Sequence, residues 1–193
     1  CIEVSYFKVE ITDDKNIKKP YKPIIFFPGS GSINTDSFEN GIENRMKQFS
    51  YLLSEGYALI HPIYKSTFER RDNIKSDYPN ETDEYKNAVI RWGKDYKRAI
   101  DYIESRDDMN MDKLSYYGIS WGGSIANILL AIDDRVKNSV LYVAGIEFQT
   151  CKKEVDKFYY TSRIKIPVLM LNGKFDHFFP LETSQIPMFK LLG

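Results

Sequence analysis

The chain has 193 residues, 42% of them hydrophobic and 28% charged, with 27 Lys plus Arg against 27 Asp plus Glu. That balance suits a single globular domain with a real core, here expected to span residues 1–193. A formal net charge of zero removes the broad electrostatic case for a nucleic-acid or acidic-membrane partner. No apolar run approaches the length of a membrane span.

The two cysteines, Cys1 and Cys151, cannot build a disulfide framework, and free thiols are expected. The chain begins at Cys1 rather than methionine, so further residues, with room for a leader, are expected upstream. The compartment is left open, with the cytoplasm favoured. Asn80-Glu81-Thr82 fits a glycosylation triplet that arises often by chance.

Residues 4–11 alternate and are rich in β-branched and aromatic side chains, which predicts a strand, and residues 13–20 predict a charged turn. "PIIFFP" (23–28) predicts a strand buried on both faces, and "GSGSINTDSFENG" (29–41) a loop. Met46, Phe49, Leu52 and Leu53 have helical spacing, with Gly56 as the stop, before a second buried strand, "YALIHP". Residues 64–83 are polar and predict a surface loop. Tyr85, Val89, Trp92, Tyr96, Ile100 and Ile103 recur every three or four residues and predict a long amphipathic helix that tolerates Gly93. Strands are expected at 113–117, 139–143 and 166–171, the last of them buried. Helices are expected at 124–131 and at 181–192, the latter interrupted by Pro187, and residues 147–163 are expected to be mixed. Alternating strand and helix predicts an α/β fold, a mostly parallel sheet with helices on both faces and a ligand cleft at the carboxyl ends of its strands.

Between the strand at 113–117 and the following helix stands Gly118-Ile119-Ser120-Trp121-Gly122, a G-x-S-x-G pattern. On a sharp strand-to-helix turn this pattern exposes a serine hydroxyl, the glycines making room where side chains would collide. Ser120 is the candidate nucleophile, and the Trp121 N–H at the start of the helix is a candidate oxyanion donor. The bland alternative is a glycine-rich turn with an incidental serine. "FFPGSGS" follows an earlier strand and supplies Gly29, Ser30 and Gly31 as candidates for the second donor, with the Ser30 N–H favoured. It could also be a flexible strand-end turn. It is not a dinucleotide fingerprint, because the third glycine would fall on Asn34.

"IPVLMLNGKFDHFFP" places Asp176 just past a late strand, where a triad acid belongs and in the chain order Ser, Asp, His. The alternative is a turn cap. Glu147 is the reserve acid, and Asp133 and Asp134 suggest a solvated helix end. Neither histidine suits the base. His61 lies far upstream and is expected as a pocket-wall or hydrogen-bonded residue. His177, adjacent to Asp176, is expected in a surface loop, with a makeshift base as its lesser alternative. The base is therefore expected beyond Gly193, after one more strand.

Taken together, "IIFFPGSGS", "YALIHPIYKSTFERR", "WGKDYKRAIDYIESRDDMNMDKLSYYGISWGG" and "IPVLMLNGKFDHFFPLETSQIPMFKLLG" cover most of the chain. In them the chain resembles α/β-hydrolases of the dienelactone-hydrolase and prolyl-oligopeptidase catalytic-domain group. The "YKSTFERR" loop resembles hydrolase domains fused behind bacterial serine/threonine protein kinases. The resemblance implies Ser120 as nucleophile, Asp176 as acid, oxyanion donors from residues 29–31 and Trp121, and a histidine in a G-H turn after a further strand. It implies no metal or cofactor, a small-molecule ester substrate, and a kinase domain as a fusion partner to look for upstream. Tyr64, Lys65 and Arg70 are expected at the site mouth. Three functions compete: a serine esterase, a prolyl-oligopeptidase-type peptidase with the same triad, and a non-catalytic ligand-binding or regulatory module.

Overall fold

The computed structural model describes residues 7–11 and 16–192. Cys1, the first residues of the expected strand at 4–11, the turn residues 13–15 and the Met46 side chain lie outside what is described. Six strands form one sheet in the order β1-β3-β2-β4-β5-β6. They are β1 Phe7–Glu10, β2 Lys22–Phe27, β3 Tyr57–Pro62, β4 Ser115–Ile119, β5 Asn138–Tyr142 and β6 Val168–Leu171. β1 pairs antiparallel with β3, and every other pairing is parallel. The registers Phe27↔Gly118, Ile119↔Tyr142 and Tyr142↔Leu171 bring the carboxyl ends of β2, β4, β5 and β6 to one edge. This is the mostly parallel sheet with helices on both faces that the alternating sequence predicts.

The helices are α1 Gly31–Asn34, α2 Phe38–Ser54, α3 Asp83–Glu104, α4 Trp121–Ile132, α5 Phe158–Thr161 and α6 Ile186–Leu191. α3 and α4 cover one face of the sheet, where Trp92, Tyr96, Ile100, Ile125 and Leu129 pack with Ile25, Ile60, Tyr116 and Leu141. α2 covers part of the other face, with Phe49 against Ile24, Phe26 and Leu59. Thr82 caps α3 by accepting the Tyr85 N–H at 3.1 Å, and Asp83 and Glu84 complement the helix dipole. Thr82 thus has a structural use inside the glycosylation triplet. Gly93 is where α3 nears α4: a Cβ there would stand 3.3 Å from Ile132 Cδ1.

Several expectations need correction. The loop expected at 29–41 contains α1 and the first turn of α2, which starts at Phe38. Its first N–H is satisfied by Glu69 Oε1 at 2.8 Å, a cap from 31 residues away. Residues 64–83 are not simply a surface loop, because Tyr64, Ser66, Thr67, Phe68, Ile74 and Asp77 are buried. α4 starts three residues earlier than expected, at Trp121. The helical run expected at 181–192 changes from a π turn (Leu181–Gln185) to α6 just before Pro187, which sits in the first turn of α6. The strand expected at 166–171 is β6; among the described residues only β5 pairs with it, and Leu169 and Leu171 are exposed there. Asp133 is buried rather than solvated and is tied to Arg135 at 2.7 Å, whereas Asp134 is exposed.

Candidate active site

Ser120 sits between β4 and α4 with φ +52° and ψ −112°, outside the regions open to an L-residue without strain. Three bonds hold it there. Its N–H donates to Tyr142 O at 2.9 Å, its carbonyl accepts the Ser124 N–H at 2.9 Å, and the Gly122 N–H donates to Pro28 O at 3.0 Å. The flanking glycines are required by contact. A Cβ on Gly118 would lie 2.3 Å from Gly122 O, and one on Gly122 would lie 2.2 Å from Phe27 O. Strand β2, strand β4 and helix α4 therefore meet closer than any side chain would allow. Among the described residues the Ser120 hydroxyl has no hydrogen-bond partner, and the residue is partly exposed. The Trp121 N–H, at the first helical position, is among the donors a helix leaves without an intrahelical partner.

The turn after β2 comes against this elbow. A Cβ on Gly29 would stand 3.4 Å from Ser120 Cβ, whereas one on Gly31 would meet nothing within 4 Å. Ser30 stands at the N-cap position of α1 without a side-chain capping bond, and Gly29 O accepts both the N–H and the hydroxyl of Ser32, at 3.1 and 2.8 Å. Of the two loop glycines, Gly29 is thus the one that comes close to Ser120.

Asp176 lies in the loop leaving β6. Its Oδ1 accepts the N–H groups of Phe178 (2.8 Å) and Phe179 (2.9 Å), so Oδ2 remains for another donor. The loop is held by two carboxamides that sequence reasoning missed. Asn172 pairs with both the N–H and the carbonyl of Ala144, at 2.7 and 2.8 Å, and Gln185 Nε2 donates to Gly173 O and Phe179 O, at 2.9 and 2.7 Å. Asn172 stands in the quoted "IPVLMLNGKFDHFFP" segment without any role assigned from sequence, and Gln185 carried no signal.

Glu147, the reserve acid, is otherwise engaged. Both its oxygens take Lys157 Nζ at 2.7 Å, and the two side chains are 4% and 3% exposed. Burial works against the Lys157 charge, but Glu147, Tyr85 and Asp77 together hold its pKa above the ordinary lysine value. Around this pair burial raises the Asp77 carboxyl, pushes Tyr85 up to about 12 and pushes the free Cys151 thiol up to about 11. A thiol so shifted is a poor nucleophile at neutral pH.

The histidines stand apart from the elbow. His61 is buried on β3 with Phe26, Phe38 and Phe68 at ring-centroid distances of 4.8, 4.6 and 5.9 Å. His177 is exposed beside Phe178. Tyr64 and Arg70, expected at the mouth, are structural instead. Tyr64 is fully buried, stacked on Phe27 at 3.9 Å, and Arg70 is tied to Asp95 at 2.8 Å and to Ile63 O at 2.6 Å. Lys65 lines a polar surface cleft with Asp72, Asn73, Glu84, Asn87 and Arg91. No helix among the described residues is long and apolar enough to cross a membrane.

A strained serine between a parallel strand and a helix, on a sheet of this order, is the arrangement of the α/β-hydrolase fold. The model of the Dienelactone hydrolase family matches residues 33–188, and the chain belongs to that family. It is 32% identical over 89 residues to YtaP of Bacillus subtilis (strain 168), which is named as a hydrolase; the match covers 45% of this chain and 29% of that protein. Acetyl xylan esterase 1 from Thermoanaerobacterium sp. JW/SL YS485 superposes with a TM-score of 0.70 at 14% identity, over 97% of this chain and 69% of that one. The acylaminoacyl peptidase of Pyrococcus horikoshii superposes with a TM-score of 0.63 at 15% identity, over 96% of this chain and 32% of that one. Both structural likenesses speak to the fold.

Proposed function

We propose that this protein is a serine hydrolase that cleaves a carboxylic ester through an acyl-enzyme on Ser120, with Asp176 as the triad acid. The observation that carries the reading is the Ser120 backbone, held at a positive φ by flanking glycine contacts with its hydroxyl unbonded. Such strain persists only where the surroundings impose it, and it clusters at functional sites. The Ser120 hydroxyl attacks the ester carbonyl while its proton passes to a base. The negative oxygen of the tetrahedral intermediate is stabilised by the Trp121 N–H and by an N–H of residues 29–31, Ser30 first among them. Collapse breaks the ester bond and the alcohol leaves with that proton. Water, activated by the same base, then releases the acid and restores Ser120. Asp176, through Oδ2, orients and stabilises the base.

The base itself is proposed to lie outside these 193 residues. Aromatic rings surround His61, and His177 follows the acid directly on an exposed stretch. The family and the esterase among the structural neighbours support an ester as substrate. The resemblance of the "YKSTFERR" loop supports a kinase domain upstream, which the reading frame before Cys1 would reveal.

The test is intact mass after exposure of the full-length protein to a fluorophosphonate probe, with turnover of p-nitrophenyl acetate and of a peptide p-nitroanilide measured in parallel. One adduct, absent from Ser120→Ala, with turnover of the ester, is the expected result. Preference for the anilide would make the protein a peptidase. No adduct at all would overturn the mechanism in favour of a binding module.

A further inference from the structure

We propose that Asn172 and Gln185 are positioning residues, two side-chain carboxamides that set the direction in which the Asp176 carboxylate faces. The inference rests on the reading of Asp176 as the triad acid.

The strand pairing explains why the first carboxamide is needed. β5 and β6 pair as far as Tyr142↔Leu171, and the Val143 N–H still donates to Leu171 O at 2.9 Å. Val143 then takes φ +57°, which turns its chain out of extended pairing. At the next rung Asn172 supplies from its side chain what the backbone no longer can. Oδ1 accepts the Ala144 N–H and Nδ2 donates to Ala144 O. A primary amide carries donor and acceptor side by side, as a peptide group does. The backbone of Asn172 is thereby released to enter the turn toward Asp176. Ala144 is itself seated on the elbow helix, since a Cβ on Gly123 would come within 2.8 Å of Ala144 Cβ. Asn172 thus ties the root of the acid loop to the ledge beside the nucleophile.

Gln185 fixes the loop from the other side. Its two N–H groups go to Gly173 O and Phe179 O, carbonyls that bracket Asp176 in sequence. Gln185 is 6% exposed and lies at the end of a single π turn, where its own N–H reaches Pro180 O at 3.3 Å, five residues back. π turns of this kind recur at functional sites. Inside the bracket, the Asp176 N–H donates to Gly173 O at 3.3 Å and Oδ1 takes two N–H groups. Rotating the carboxylate would break those bonds, so Oδ2 is left one direction to face.

The test uses the full-length protein and p-nitrophenyl acetate, with Asn172→Leu and Gln185→Met as shape-preserving variants. Gln185→Asn, which keeps the amide but shortens its reach, serves where Gln185→Met folds poorly, and Asn172→Ser plays that part for Asn172→Leu. Misplacing the acid is expected to lower kcat by about ten- to a hundred-fold, with KM within about two-fold of wild type. It is also expected to move the acidic limb of the kcat/KM profile to lower pH, because a base that loses its carboxylate partner binds its proton less tightly. Asp176→Asn should move that limb the same way. A lower melting temperature with kcat and the limb unchanged in the folded protein would overturn the inference and leave both residues structural. If Asp176→Asn alters turnover and the carboxamide variants do not, only this inference falls. If Ser120→Ala keeps wild-type turnover, the serine-hydrolase reading falls first.

Discussion

Ser120 and Asp176 leave strands separated only by β5, yet the chain fixes them by different means. The elbow is cast from backbone. Gly118 and Gly122 let β2, β4 and α4 touch, and Phe27, Tyr116 and Trp121 beneath them are buried. The Asp176 loop leaves β6 and is held by side chains. A nucleophile, the role proposed for Ser120, must keep its strained φ and is built into packed backbone. The acid proposed at Asp176 needs only an orientation, which a few hydrogen bonds supply.

The comparison breaks most easily at the glycines. In Gly122→Ala the new methyl would meet Phe27 O at 2.2 Å, and neither backbone can yield without separating α4 from β2. The expected cost is about 5 kcal/mol or more, among the larger effects of single substitutions. Gly173→Ala, in the acid loop, adds a methyl that meets nothing within 4 Å at a glycine without positive φ, and should change stability by about 0.5 kcal/mol or less. Chemical denaturation of both variants checks the pair. Equal losses would show that the acid loop is as tightly cast as the elbow.

The same contrast decides what could be read from sequence. The elbow is five consecutive residues, so G-x-S-x-G made it legible, and the short runs 23–28 and 57–62 are strands as expected. The helix of Tyr85, Val89, Trp92, Tyr96, Ile100 and Ile103 was legible because one buried stripe fixes its period. Asp176 could be singled out because it follows a strand closely. What holds it could not, because Asn172 meets Ala144 across 28 residues and Gln185 meets Gly173 across 12. The cap of α2 by Glu69 escaped for the same reason. Leu169 and Leu171 have the composition of a buried strand, and their exposure here follows from β6 pairing only with β5 among the described residues.

A second break falls on the connection between β5 and β6, which carries the buried pair Glu147 and Lys157. Lys157→Met would leave Glu147 buried without its cation, at an expected cost of about 3 kcal/mol. Adding Glu147→Leu removes the stranded charge, and the double variant should return to within about 1 kcal/mol of wild type. Urea unfolding of the two single variants and the double variant reads the coupling directly. Additive losses would mean that the pair does not act as a unit.

The smallest expected effect sharpens the same point through pH. Asp77 packs into the charge field of Lys157 and Glu147, and burial, the largest influence on it, raises its pKa above the ordinary 3.8. The folded chain therefore binds this proton more tightly than the unfolded chain does. Stability is lost as pH rises from the ordinary carboxylate value to the raised one, and it stays lost at neutral pH. Asp77→Asn keeps the shape and an acceptor oxygen but never ionises. Its melting temperature should exceed that of wild type at pH 7 by about 2 °C or less, and the gain should vanish below about pH 4. Thermal melts of both proteins across that range test the sign. A gain that persists at low pH would place its origin in packing, and a loss at pH 7 would mean that the Lys157 charge outweighs burial. In that case Asp77 would join Glu147 as a working partner of the cation in a three-membered charge cluster.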